Sequence, residues 1–430
     1  MTENTQKSPD GKNKSRFFYG WIMLGVAFVG MFVSGPGQSF TVSVFFVPIL
    51  KEFEISLTSI SSAYGLGTLT AAFGLSYVGI LIDRYGVRRI MASVAFLLGA
   101  SAMLFSTIGN LIGLYVGFTA IRIFGQGSMM LVSNNLASQW FVRRRGLAMS
   151  LVGLGFAVGT AAFPPAIQWL IDHQGWRAAW VWLGGFTWVL MIPLAALLVR
   201  NRPEDMGLLP DGAETQVEKV SGPEADDAAL EAESWPVAMA LRTRQFWIMA
   251  VAMSIPSMLI TGMVVHQISY FKEVGLGAQM AASVFTFSGF SMVASGLSFG
   301  YLFDRFATRY VVALGQLVMT AAMLAMWIAD TPLLASVYGL VFGVAQGAMI
   351  TMGGYVWPAY FGRKYLGGVQ GAAMTAVIVG ASLGPLPFGI AFDLLGSYRE
   401  ALLALAALPL VAAVVVSLTP PPVKKGGEGV

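Results

Sequence analysis

Apolar blocks of about 20 residues or more recur along the whole chain, separated by short polar breaks. At about 1.5 Å of rise per helical residue, each is long enough to cross a hydrocarbon core of about 30 Å. Twelve helical spans are predicted, at roughly 18–50, 58–82, 90–107, 111–139, 146–171, 178–199, 246–271, 276–302, 310–329, 332–356, 366–392 and 401–418. One polar interruption is much longer than the rest. Residues 200–244, with PEDMGLLPDG and the acidic run EADDAALEAES, read as a solvated linker dividing six spans from six. The predicted organisation is a tail at 1–17, a six-helix bundle at 18–199, the linker at 200–244, a second six-helix bundle at 245–418 and a tail at 419–430. The fold class is an all-α membrane protein.

Composition agrees with that pattern: 56% of residues are hydrophobic, 11% are charged and the mean hydropathy is +0.70, outside the range of soluble domains. The first apolar block is too long for a cleavable leader, so Met1 to Arg16 reads as a retained basic tail. With that tail in the cytoplasm, 21 of the 26 basic residues fall on the cytoplasmic side and four on the other, the remaining one being Arg122. Such a bias places both termini inside a cell (inner or plasma) membrane. The basic sequence pI therefore reports topology, and nucleic acid is not an expected partner. There are no cysteines, which excludes disulfides, thiolate metal sites and a cysteine nucleophile.

The two halves repeat. GILIDRYGVRR (79–89) recurs as GYLFDRFATRY (300–310), so that Gly79, Asp83 and Arg84 match Gly300, Asp304 and Arg305 at an offset of 221. Gly146, Gly159, Pro164, Asp172 and Gly175 match Gly367, Gly380, Pro385, Asp393 and Gly396 at the same offset. Two six-span halves of like orientation joined by a cytoplasmic linker resemble the major facilitator superfamily. Gly79, Asp83, Arg84, Gly86, Arg88 and Arg89 fit its loop 2/3 signature, with Val87 in place of one basic residue. The resemblance implies two pseudo-symmetric bundles that rock about a central substrate site. Gly79, Asp83, Arg84, Asp304 and Arg305 are then gating candidates: a carboxylate that meets helix-terminal N–H groups or a guanidinium holds the helix ends together in one state only. The bland alternative is a solvated turn with positive-inside charges.

FYGWIML (18–24), GPGQSFTVSVFFVPILKEF (35–53) and NNLASQWFVRRRGLAMSLVGLGFAVG (134–159) resemble the bacterial monocarboxylate porter and oxalate/formate antiporter families. The resemblance implies a small organic anion carrying a carboxylate. The chain departs from those families in span 8, where FTFSGFSMVASGLSFG (285–300) has no arginine, and in span 11, where 366–384 has no lysine.

Between Ile90 and Val142 the one charged residue is Arg122, and no Asp or Glu lies inside any predicted span. A mid-membrane guanidinium costs about 2.5–3.5 kcal/mol on the insertion scale and needs compensation. A carboxylate substrate would supply it through two parallel hydrogen bonds; carbonyls and hydroxyls of neighbouring spans are the structural alternative. Gln38, Ser39, Tyr64, Ser288, Ser291 and Gln370 are the polar groups expected to complete a substrate site, against a packing role for each hydroxyl. His266, in MVVHQISYF, is the proton-coupling candidate, against the reading of an interfacial anchor.

GASLG (380–384) satisfies a nucleophile-elbow pattern, but within an apolar helix and with no intramembrane acid for a triad. Neither a phosphate-binding loop nor an H-E-x-x-H metal site occurs, so no enzyme, metal or cofactor is expected. The expected function is secondary active transport of a small organic anion, foremost a monocarboxylate, by alternating access with proton symport or anion exchange. Its expected partners are that anion, protons and membrane lipids, and the expected state is a monomer. The alternative is an exporter of larger amphipathic compounds, served by the 29 Phe and 11 Trp; a transport-incompetent sensor is a third reading.

Overall fold

The computed structural model describes residues 18–141, 145–212, 235–362 and 366–422, with the side chains of 75–77, 79, 80, 83, 145, 146 and 366–368 outside that description. Before the linker come α1 (Gly20–Phe53), α2 (Leu57–Tyr85), α3 (Val87–Phe105), α4 (111–140), α5 (Arg145–Gln174) and α6 (Trp176–Leu197). After it come α7 (Arg244–Glu273), α8 (Ala278–Arg305), α9 (Thr308–Trp327), α10 (Pro332–Phe361), α11 (366–395) and α12 (Arg399–Ser417). Among the described residues ten helical runs are long and apolar enough to cross a membrane, and α2 and α4 complete the pattern expected from the sequence.

Local chemistry starts and stops these helices. Side chains of Ser56, Asn110, Thr243 and Thr331 accept from the backbone N–H three residues on, satisfying donors that the first helical turn leaves unpaired. Gly86 ends α2 at φ +81, a left-handed conformation in which a Cβ would also lie 2.7 Å from Asn201 Oδ1. That close approach lets Asn201, at the start of the linker, accept from the Arg88 N–H at 3.0 Å, while the Arg88 guanidinium donates to the Ala196 carbonyl. Arg88 thus ties α3 to the end of α6 within one half.

Three spans are not the uninterrupted helices that their hydropathy suggests. α1 is broken by a 3-10 turn at Gly35–Gly37, because Pro36 lacks a backbone donor and the flanking glycines tolerate the turn. α4 passes through a π-helical stretch, Arg122–Met129, and α11 is interrupted at Gly384 before Pro385.

The halves meet at the face opposite the linker. There Thr286 Oγ1 of α8 donates to the Ala161 carbonyl of α5 at 2.7 Å, and Asp393 near the end of α11 accepts from the Leu57 and Thr58 N–H groups that open α2. Toward the linker face the halves part around a cavity of about 1620 Å³. Its wall reaches Met149 near the start of α5, Asp304 near the end of α8 and Pro358 near the end of α10, which places its mouth at that face.

Candidate functional site

The break in α1 and the π stretch of α4 are built against each other. A Cβ at Gly37 would collide with the Ile121 carbonyl and sit 2.7 Å from Gly125 Cα, and a Cβ at Gly125 would sit 2.6 Å from Gly37 Cα. Two glycines are therefore what permit backbone-to-backbone contact here. The i to i+5 register of the π stretch is marked by Ser128 Oγ, which donates to the Ile123 carbonyl at 2.8 Å.

This contact gives Arg122 its surroundings. The side chain is 2% exposed; Nη1 donates to the Gly37 carbonyl at 3.3 Å and to Ser39 Oγ at 3.2 Å, and Cζ lies 5.0 Å from the centre of the Tyr64 ring. Ser39 and Tyr64 share a 2.6 Å hydroxyl contact. The unwound backbone of α1 supplies a carbonyl that an unbroken helix would have consumed, and the ring face adds cation–π attraction. Compensation remains incomplete. Among the described residues Nε has no acceptor, Nη2 makes no hydrogen bond, and no carboxylate pairs with the group. The free edge is the Nε/Nη2 fork, a side that matches a carboxylate in bidentate fashion.

Gln38 and Ser39 line the cavity, with Gln38 Nε2 donating to Ser34 Oγ at 3.0 Å and approaching Met130 Sδ at 3.2 Å. Arg122 and Tyr64 stand one layer behind Ser39. Four residues singled out from the sequence are thus brought together. Ser288 and Ser291 lie outside the cavity wall: Ser288 Oγ donates to the Gly339 carbonyl at 2.9 Å, and Ser291 Oγ to Phe287 and Ser288 carbonyls of its own helix. Ser288, together with Ser295, which donates to the Val344 carbonyl at 2.7 Å, fastens α8 to α10. Gln370 Nε2 donates to the Gly353 carbonyl at 3.4 Å, joining α11 to α10.

His266 is no interfacial anchor, being 1% exposed. One ring nitrogen, Nε2, is 2.9 Å from the Pro385 carbonyl and 3.3 Å from Ser61 Oγ; Nδ1 is 3.4 Å from Tyr398 Oη. Phe46 and Phe388 pack on the ring. Because Ser61 belongs to α2 and Pro385 to α11, His266 sits in the closed seam between the halves.

Of the gating candidates, Gly79 and Asp83 are described in their backbone alone. Arg84 is exposed beside the Tyr85 ring at 5.3 Å, Arg305 lies over Tyr301 at 4.5 Å, and exposed Asp304 rims the cavity. Residues that sequence reading passed over include Gln126, Asn134, Thr261 and Gln346, all on the cavity wall. For Gln126 and Gln346 the recurrence of QGSM (126–129) as QGAM (346–349) was the available signal.

The chain matches the Major Facilitator Superfamily over residues 23–303 and 257–429. It is 26% identical over 408 residues to Monocarboxylate transporter 13 of Bos taurus, covering 94% of this chain and 89% of that protein. It is 24% identical over 382 residues to the Oxalate:formate antiporter of Oxalobacter formigenes, covering 84% and 85%. Among solved structures, the nucleoside transporter NupG superposes with a TM-score of 0.71 over 93% of this chain and 98% of that one, at 12% identity, a likeness of fold. The helical architecture, the cavity between two halves and these relatives agree: the chain belongs to the Major Facilitator Superfamily and is a multi-pass membrane transporter, not an enzyme.

Proposed function

We propose that this transporter moves a small organic anion, foremost a monocarboxylate, across the cell membrane by alternating access. The observation that carries the reading is the unpaired Nε/Nη2 edge of Arg122, buried behind Ser39 at the cavity wall with no carboxylate partner among the described residues. An uncompensated guanidinium in a membrane interior is costly, and a carboxylate substrate that reaches it past Ser39 relieves that cost at the moment of binding. The names of the relatives support the same class of substrate. One guanidinium matches one carboxylate, which favours monoanions.

The distribution of basic residues supports a cytoplasmic linker face, and on that assignment the cavity opens inward. Arg84, Asp304 and Arg305 then stand at the open side, disengaged as a lock must be in the state it does not hold. The transport step is proton symport or anion exchange; His266 in the closed seam is the proton candidate of the reading.

A second reading, export of larger amphipathic compounds, is favoured by the cavity volume of about 1620 Å³, which exceeds the roughly 300–1,000 Å³ of common small-molecule sites. Thermal unfolding of the purified protein against monocarboxylates, dicarboxylates, inorganic anions and lipophilic cations separates the two. Stabilisation by a monocarboxylate, about 2.7 kcal/mol at a hundredfold excess over Kd and lost in Arg122→Gln, supports the anion carrier. Stabilisation by lipophilic compounds alone, unaltered by that substitution, supports the exporter.

A further inference from the structure

The cavity wall contains an enclosed polar group without a partner. Gln346, in α10, is 8% exposed and lines the cavity; its Nε2 is enclosed with no acceptor, and its side chain makes no hydrogen bond among the described residues. Two hydroxyls of the same wall have no proton to offer its Oε1. Thr261 Oγ1 donates to the Ser257 carbonyl and Ser257 Oγ to the Val377 carbonyl, so both hydroxyl protons are spent on backbone.

Gln346 also has a counterpart in the other half. Asn110 and Thr331 cap α4 and α10 at the common offset of 221, yet Gln126 lies 16 residues beyond its cap and Gln346 only 15 beyond its own. The π-helical stretch Arg122–Met129 lies on that longer path, and absorbing one extra residue is what a π turn does. The extra residue leaves both glutamines on the cavity wall although their helices differ in length up to that point. Arg122 lies at the start of the π stretch and Gln126 within it.

We propose that Gln346 is a specificity-determining residue, whose amide contacts a neutral oxygen substituent of the anion that Arg122 holds; the proposal rests on the anion reading above. A carboxamide offers two donors at one end and an acceptor at the other, and rotation about its terminal torsion exchanges them. It therefore meets either a hydroxyl or a carbonyl oxygen. The wall from α10 and α7 offers no permanent charge beside it, so the second contact selects a neutral group.

Binding of propionate, 2-hydroxypropionate and 2-oxopropionate to the purified full chain, in wild type, Gln346→Leu, Gln346→Asn and Arg122→Gln, tests this. The expected wild type prefers the substituted acids over propionate. Gln346→Leu should reduce that preference by roughly three- to tenfold, the worth of one hydrogen bond, with propionate affinity changed less than about twofold. Gln346→Asn, which keeps the amide, should retain the direction of the preference, and Arg122→Gln should weaken all three acids. A wild type without preference, or a Gln346→Leu variant whose affinities fall equally or stay unchanged, overturns the Gln346 assignment and leaves the anion reading intact. Failure of wild type to bind any of the three acids overturns both.

Discussion

The Asp393 carboxylate accepts a 2.8 Å hydrogen bond from the backbone N–H of Thr58, a residue 335 positions earlier in the chain and in the opposite half. Its other oxygen takes the Leu57 N–H at 3.2 Å, so a helix start in one half is capped by an anion from the other. An anion at a helix N-terminus contributes about 0.3–2 kcal/mol. This interaction exists only while the face opposite the linker is closed. Asp393→Asn is expected to lower the share of molecules closed there, by up to about thirtyfold. The chain has no native cysteine, so single engineered cysteines on that face report the change directly. Unchanged labelling at every such position would remove Asp393 from the gate.

His266 should act in the same seam by a different bond. His266→Leu deletes the contacts to the Pro385 carbonyl and Ser61 Oγ, and is expected to raise labelling on the same face. His266→Gln keeps a polar group that can meet Ser61 Oγ across the seam and should label as wild type does. Uptake followed across pH then addresses coupling: pH-independent transport in both wild type and His266→Gln would dispose of a proton role for this residue.

The backbone contact between α1 and α4 predicts a sharp contrast among glycines. Gly37→Ala places a methyl group against the Ile121 carbonyl and should destabilise the fold by about 1–3 kcal/mol. Gly371→Ala meets nothing within 4 Å in the middle of a helix and should be neutral or mildly stabilising. Midpoints of thermal unfolding in a single detergent compare the two; equal midpoints would show that the Gly37 contact is not tight.

Arg122→Lys separates charge from shape. A lysine keeps the positive charge near Ser39 but loses the planar fork. Carboxylate affinity is expected to fall at least about tenfold, the worth of one charge-assisted hydrogen bond. Calorimetric titration of a binding monocarboxylate measures it. Full affinity in this variant would mean that charge alone, without bidentate geometry, holds the substrate.

Much was legible in the order of residues alone. Helices of this length announce themselves because burial in a bilayer is decided by about 20 consecutive apolar side chains, and their backbone bonds close within four residues. The duplication and the isolation of Arg122 are likewise written in the sequence, whereas the turn at Gly35–Gly37 breaks a span that reads as continuous. What each polar group would find was not legible either. Gly37 lies 85 residues from Arg122, and its carbonyl is available because a tight 3-10 turn faces a π turn across two glycines.

Asp172 and Asp393 make the limit plain, since they occupy equivalent positions of the repeat. Asp393 reaches across to cap α2, whereas Asp172 accepts from Gln168 of its own helix at 2.7 Å, and α8 begins with no side-chain cap. The sequence determined that two similar bundles would form, because hydrophobic length and helix-end chemistry act locally. Only the tertiary structure decided which carboxylate bridges them, which serines merely pack and which face is open. Those outcomes depend on contacts between distant segments, whose alternative arrangements differ by only a few kcal/mol.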